Sequence, residues 1–125
     1  PKMTAHYHKD ILNICESFPK YSLQPTEQDV FTGSPPIGFT FGLGGLVLFP
    51  MYFGASTFLI EKPSPDLLLE AIEKYKITIC FTAPTAGRIL TELRYIKFTK
   101  MYFGRRNTSA KNLGRLVQNN WFENH

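Results

Sequence analysis

Three short stretches of this chain hold residue types that could do chemistry. At the start, Lys2 follows Pro1, and His6 and His8 stand two apart. A lone lysine is usually a solvated surface cation. Two histidines two apart on a helix point to different faces, whereas a metal site prefers an i, i+4 pair; no Asp, Glu or Cys completes a ligand set, so zinc is not expected. In the middle lies Phe39-Thr40-Phe41-Gly42-Leu43-Gly44-Gly45. It has the glycines of a phosphate loop but neither its lysine nor its serine, and no strand clearly precedes it. It reads either as a buried turn in which glycines let backbones approach or as an aromatic wall for an apolar or aromatic ligand. Further on, Phe81-Thr82-Ala83-Pro84-Thr85 follows an apolar, β-branched run. Cys15 and Cys80 are far apart with no metal-ligand spacing, and Cys80 reads as a small buried hydrophobe. These residues assemble no catalytic dyad or triad.

The surrounding pattern says what must position them. Thr4 to Phe18 reads as a helix with Thr4 as N-cap, an Ile11, Leu12, Ile14, Cys15 and Phe18 stripe, and Pro19 closing it. Loop follows, with a short strand at Asp29–Thr32, and Gly42 to Phe53 reads as a short helix with Pro50 near its end. Ala55 to Glu61 reads as a strand. Pro63 and Pro65 mark a turn, Ser64 or Asp66 caps a helix with Leu68, Leu69, Ile72 and Tyr75 on one face, and Ile77 to Phe81 is a second strand. Thr82 to Thr85 is then a loop, and Ala86 to Leu93 begins another helix. Strand, helix, strand, helix with short loops is a βαβ unit, so the fold class is α/β with a parallel sheet. Ligands of such sheets bind beyond the C-terminal strand ends, which places Thr82-Ala83-Pro84-Thr85 at a site by topology.

Composition sets further limits. With 43% apolar and 19% charged residues the chain reads as globular, and 125 residues leave room for one small core. It has no signal-peptide pattern and few cysteines, so a reducing cytoplasm is the expected compartment. It opens on Pro1-Lys2 without an initiator Met, which suggests a start inside a longer protein. The apolar stretch Ile37 to Phe53 is interrupted by glycines and Pro50 and falls short of the roughly 20 residues of a membrane span. Charge divides the chain near Leu93. Residues 1–93 carry seven Lys/Arg against nine Asp/Glu; residues 94–125 carry seven Lys/Arg against Glu123 alone. The formal net charge of +4 therefore belongs to the basic tail, and the first 93 residues give a nucleic-acid role no support.

Taken in order, several words carry a family resemblance. They are Pro1-Lys2, Ala5-His6-Tyr7-His8-Lys9-Asp10, Ser34-Pro35-Pro36-Ile37-Gly38 running on into Phe39 to Gly45, Pro50-Met51-Tyr52-Phe53-Gly54-Ala55-Ser56, and Phe81 to Thr85. Together they resemble the adenylate-forming superfamily, and within it the acid–CoA ligases of the benzoate and 2-aminobenzoate type. The resemblance covers residues 1–93. It implies a βαβ piece of the parallel-sheet N-terminal domain of an enzyme that activates a carboxylic acid with MgATP and passes the acyl group to CoA. It implies that Lys2 ends a phosphate loop and lies near the ATP phosphates. It further implies that Phe39 stands at the gate of the acyl pocket, and that Phe41, Gly42, Ala83, Pro84 and Thr85 shape that pocket. An aryl acid would suit such aromatic walls through stacking. ATP, Mg²⁺ and CoA are the cofactors of the parent family, and a small aromatic or acyl carboxylic acid is the expected partner, with no nucleic acid and no membrane. The later family motifs and the C-terminal domain with its catalytic lysine are absent from the sequence, so this chain is expected to be inactive alone.

The tail carries a further expectation. Reading residues 96–125 one nucleotide later permits Ile-Ser-Ala-Gly-Glu and a text like the family's continuation; the Cys from Met101-Tyr102 and the Gly from Trp121-Phe122 are forced. Residues 94–125 are thus expected to be out of frame. The alternative for the tail is a basic extension that binds anionic surfaces or nucleic acid, and the alternative for the chain's function is a non-catalytic module that keeps an aryl-acid pocket.

Overall fold

The computed structural model describes residues 3–83 and 100–103. Helix α1 (His8–Glu16) is shorter than the pattern suggested. Its N-cap is Tyr7, not Thr4, because the Asp10 carboxylate accepts the Tyr7 N–H at 2.9 Å and fixes the first turn there. Pro19 does not simply close the helix; after Ser17 it opens a π-helical turn over Pro19–Leu23 that seats Leu23 in the core. Strand β1 (Val30–Gly33) follows. Residues 40–53 form one helical run made of α2 (Thr40–Leu43), a π-helical turn (Gly44–Leu48) and α3 (Phe49–Phe53), ending at Gly54 with φ of 69°. Strand β2 (Ser56–Thr57) is much shorter than the expected 55–61. The Thr32 hydroxyl donates to the Phe58 carbonyl at 2.7 Å, so that acceptor is satisfied by a side chain and the ladder stops.

Of the two caps the sequence offers, Ser64 and Asp66, helix α4 (Pro65–Tyr75) uses Ser64. The Ser64 hydroxyl accepts the Leu67 N–H at 3.3 Å, Pro65 takes the first helical position, and Asp66 sits in the first turn. Strand β3 (Ile79–Thr82) and strand β4 (Lys100–Phe103) complete the sheet. The expected helix Ala86–Leu93 lies outside the described residues. β4 falls in the stretch read as a basic tail, where the sequence pattern had suggested no element.

Among the described residues all pairings are parallel, and the strand order is β2-β1-β3-β4. β1 therefore lies between the two strands of the expected βαβ unit. The fold is α/β: the β1–β2 and β2–β3 crossovers are helical, and among the described residues helices cover both faces. On one face Phe31, Ile79 and Phe81 pack with Cys15, Leu23, Leu46 and Phe49. On the other, Cys80 packs with Leu68, Ile72 and Ile77, and with the half-buried Val30 and Phe58. The period-2 alternation of β3 sends Ile79 and Phe81 one way and Cys80 the other. Fully burying a side chain such as Phe81 stabilises the fold by about 1.5–3 kcal/mol.

Polar groups fasten β1 to β3 at both ends. At the N-terminal end the Asp29 carboxylate accepts the Thr78 hydroxyl at 2.7 Å and the Thr26 N–H at 2.7 Å, while the Thr78 oxygen accepts the Val30 N–H at 3.0 Å. At the C-terminal end the Ser34 N–H donates to the Phe81 carbonyl at 2.9 Å.

Candidate active site at the ends of β1 and β3

In a parallel sheet the C-terminal strand ends face the crevice where ligands bind. Here those ends are Gly33-Ser34 and Thr82-Ala83. Two prolines follow Ser34. Neither has an N–H, so the ladder cannot continue and the chain must leave the sheet. It turns back through Pro36–Phe39, where the Phe39 N–H donates to the Pro36 carbonyl at 3.1 Å, and enters α2.

Phe81 is the hub beneath this turn. It stacks on Phe31 at 6.3 Å, meets Phe49 at 6.2 Å and takes Phe41 edge-on at 5.4 Å. Phe41 is half-buried, and its ring orientation is set by the Phe81 ring. Gly42 is buried against the loop: a Cβ there would lie 2.6 Å from the Pro36 carbonyl carbon and 2.8 Å from the Pro35 oxygen. Only glycine lets α2 sit this close to the two prolines. Phe39 is 67% exposed at the N-cap of α2, with Ile37 and Leu43 exposed near it in the chain. Ala83 is exposed at the end of β3. Phe41, Gly42 and Ala83 are thus carried by elements joined through β1 and β3, and Phe39 projects from the same turn. Lys2, Pro84 and Thr85 lie outside the described residues.

One pair escaped the sequence reading. The Ser34 and Thr82 hydroxyls, at the ends of adjacent strands, are hydrogen-bonded at 2.9 Å, and Thr82 is fully buried. The signal was a hydroxyl closing each of two apolar strands, but its meaning depends on the strands being neighbours.

The chemistry of this rim is narrow. Residues 33–43 and 81–83 contain no Lys, Arg, Asp or Glu. Glycines, aromatic rings and two paired hydroxyls fit an apolar acyl or aryl group and do not by themselves fit a triphosphate or a metal ion. Elsewhere among the described residues no group of three or more His, Cys, Asp or Glu could hold a metal ion; His6 Nδ1 lies 3.6 Å from the Asp10 carboxylate. Burial pushes the Cys80 thiol up to about 12 and raises the Cys15 thiol as well, so neither offers a nucleophilic thiolate near neutrality. Among the described residues no helix is long and apolar enough to cross a membrane.

Residues 1–118 match the protein family described as AMP-binding enzyme. The chain belongs to that family. Among similar proteins, the benzoate–CoA ligase of Thauera aromatica is 31% identical over 86 residues, which are 68% of this chain and 16% of the ligase. An acetyl-coenzyme A synthetase of Phycomyces blakesleeanus is 38% identical over 78 residues, 59% of this chain and 12% of that protein. Among solved structures, a benzoate CoA ligase from Burkholderia xenovorans LB400 superposes with a TM-score of 0.65 at 28% identity, covering 70% of this chain and 18% of that one. The o-succinylbenzoate CoA synthetase of Bacillus subtilis gives a TM-score of 0.67 at 17% identity over 86% of this chain, a likeness of fold. The chain spans 16% of the length of the benzoate–CoA ligase it matches. The family match, residues 1–118, includes the sheet ends and the rim described above.

Proposed function

We propose that this chain is the acyl-pocket segment of an AMP-forming acid–CoA ligase whose acid is aromatic. The observation that carries this reading is the rim at the ends of β1 and β3, which is charge-free and aromatic. Phe41, held edge-on by Phe81, and Phe39 at the N-cap of α2 supply faces on which an aryl ring stacks; Gly42 and Ala83 keep the floor low. The family resemblance assigns Pro84 and Thr85 to the same pocket and Lys2 to the ATP phosphates. In the whole enzyme, bound ATP and Mg²⁺ supply the adenylylating group and CoA the accepting thiol. The described residues exclude water and orient the acid. By itself the chain forms no thioester, and it resides in the cytoplasm.

A titration of the full chain with benzoate and with acetate, followed by amide and aromatic NMR signals, tests this. Saturable shifts of Phe41, Gly42 and Ala83 with benzoate, at concentrations where acetate gives none, support the aryl reading. Equal responses overturn the aromatic preference, and no response to either overturns the pocket. Benzoate binding without turnover also matches a non-catalytic aryl-acid module; CoA-thioester formation by the parent gene's full product separates the two.

For residues 94–125 we propose translation out of frame. The charge shift near Leu93 and the two forced residues of the next frame support it. Two findings stand against it: the in-frame family match runs on to residue 118, and β4 pairs with β3. Resequencing the DNA across this stretch tests it: a next frame that stays open into further family motifs supports the proposal, and early stop codons overturn it.

A further inference from the structure

We infer that Ser34 and Thr82 form a two-hydroxyl latch that positions the loop carrying Phe39, Phe41 and Gly42 against the end of β3. The pocket consequence rests on the function proposed above. Ser34 is bonded to β3 twice, by its N–H to the Phe81 carbonyl at 2.9 Å and by its hydroxyl to that of Thr82 at 2.9 Å. Immediately beyond it Pro35 and Pro36 have no N–H to give, so these are the last hydrogen bonds between the two strand ends before the chain diverges. On the opposite side, Thr82 is fully buried, so its hydroxyl needs a partner inside the protein, and Ser34 supplies it. Thr82 is followed directly by Ala83, and Ser34 stands two residues before the Pro36–Phe39 turn into α2. A small change at the latch therefore alters the spacing between the two walls at their rim, where Phe41 meets Phe81, while the Phe31 and Phe49 contacts of Phe81 lie on other elements.

Both residues act through the loop, and neither is a catalytic group. A merely structural hydrogen bond and a latch differ in where the effect of its loss appears. Loss of an ordinary buried bond lowers protection throughout the sheet, whereas loss of a latch loosens residues 37–43 and 83 first.

The full chain is prepared as wild type, Ser34→Ala, Thr82→Val and Thr82→Ser. Residue-resolved amide exchange is expected to rise about five- to tenfold across residues 37–43 and at Ala83 in Ser34→Ala and Thr82→Val. Phe31 and Cys80 should change by less than about twofold, and Thr82→Ser, which keeps the hydroxyl, should match wild type. Unchanged exchange in the loop, or a rise spread evenly over β1 and β3, overturns the latch. Benzoate affinity is measured on the same samples. A weakening of about fivefold in Ser34→Ala and Thr82→Val, recovered in Thr82→Ser, supports the pocket role. Equal affinities overturn that role. Absence of binding by wild type overturns the functional reading, while the exchange measurement still decides the latch.

Discussion

Replacing Gly42 by alanine should destabilise the chain, and replacing Gly38 should not, although both lie in the same glycine-rich word. At Gly42 the new methyl meets backbone: 2.6 Å from the Pro36 carbonyl carbon and 2.8 Å from the Pro35 oxygen, with the Pro36 oxygen closer still. Restoring the 3.4 Å of ordinary van der Waals contact with that carbon moves α2 and the Pro35-Pro36 segment apart by about 0.8 Å. Two adjacent prolines have fixed φ angles and yield little. Overpacking of this kind costs about 1–3 kcal/mol, and the upper part of that range applies because no flexible side chain can give way. The better helix propensity of alanine in α2 offsets up to about 1 kcal/mol. A net loss near 2 kcal/mol remains, which at a urea m-value of about 2 kcal/mol/M lowers the unfolding midpoint by about 1 M. At Gly38 an added Cβ has nothing within 4 Å, and Gly54 is the one described glycine with a positive φ. Gly38→Ala should hold the midpoint or raise it slightly, through the reduced freedom of the unfolded chain. Urea titration of both variants, followed by far-UV circular dichroism, decides it. A Gly42→Ala midpoint equal to or above that of Gly38→Ala would refute the close approach of α2 to the prolines.

Other outcomes follow from the same contacts. Phe81→Ala removes the ring on which Phe31, Phe41 and Phe49 converge; a loss of about 3–5 kcal/mol is expected, seen as loss of the cooperative urea transition. Ser64→Ala leaves the Leu67 N–H without its cap and should cost about 1 kcal/mol, whereas Ser64→Asp should retain stability. Cys80 is raised by burial from 9.0 to about 12 when folded, so above pH 9 the unfolded chain loses this proton and the folded chain keeps it. Stability should therefore be unaffected by this group below pH 9 and fall between pH 9 and 12, with a shallower fall in Cys80→Ala. Iodoacetamide at pH 8 should leave Cys80 unlabelled in the folded chain; rapid labelling would contradict its burial.

The sequence was most informative where a local device coincided with a periodic pattern. Helix α4 could be placed from Ser64, Pro65 and the Leu68–Ile72 face, because cap and stripe agree. β1 and β3 appeared within a residue or two of their positions, since apolar runs between turn residues have few other conformations to adopt. α1 began later than expected because the choice between Thr4 and Tyr7 as cap turned on the reach of the Asp10 carboxylate. β2 was over-extended because nothing in Phe58 to Glu61 announces that Thr32, 26 residues away, takes the Phe58 carbonyl. The rim residues Phe41 and Gly42 stood out by type. The Ser34–Thr82 pair did not, because a separation of 48 residues becomes a contact only once β1 lies beside β3, and strand order is not written in any local window.

That strand order has a consequence for how the chain is made. No two described strands form a hairpin, and the ladder at the centre of the sheet joins Phe31 to Ile79. Non-local parallel pairing of this sort slows folding, because a long loop must close before any contact stabilises it. During synthesis at about 5–20 residues per second, β1 emerges several seconds before its central partner exists. In that interval it can pair only with the two-residue β2, and Phe31 lacks the neighbouring Ile79 and Phe81 of its cluster. The interval in which this segment is most exposed to chaperones, proteases and wrong partners is thus set by topology, and a slower stretch of codons between β2 and β3 would lengthen it.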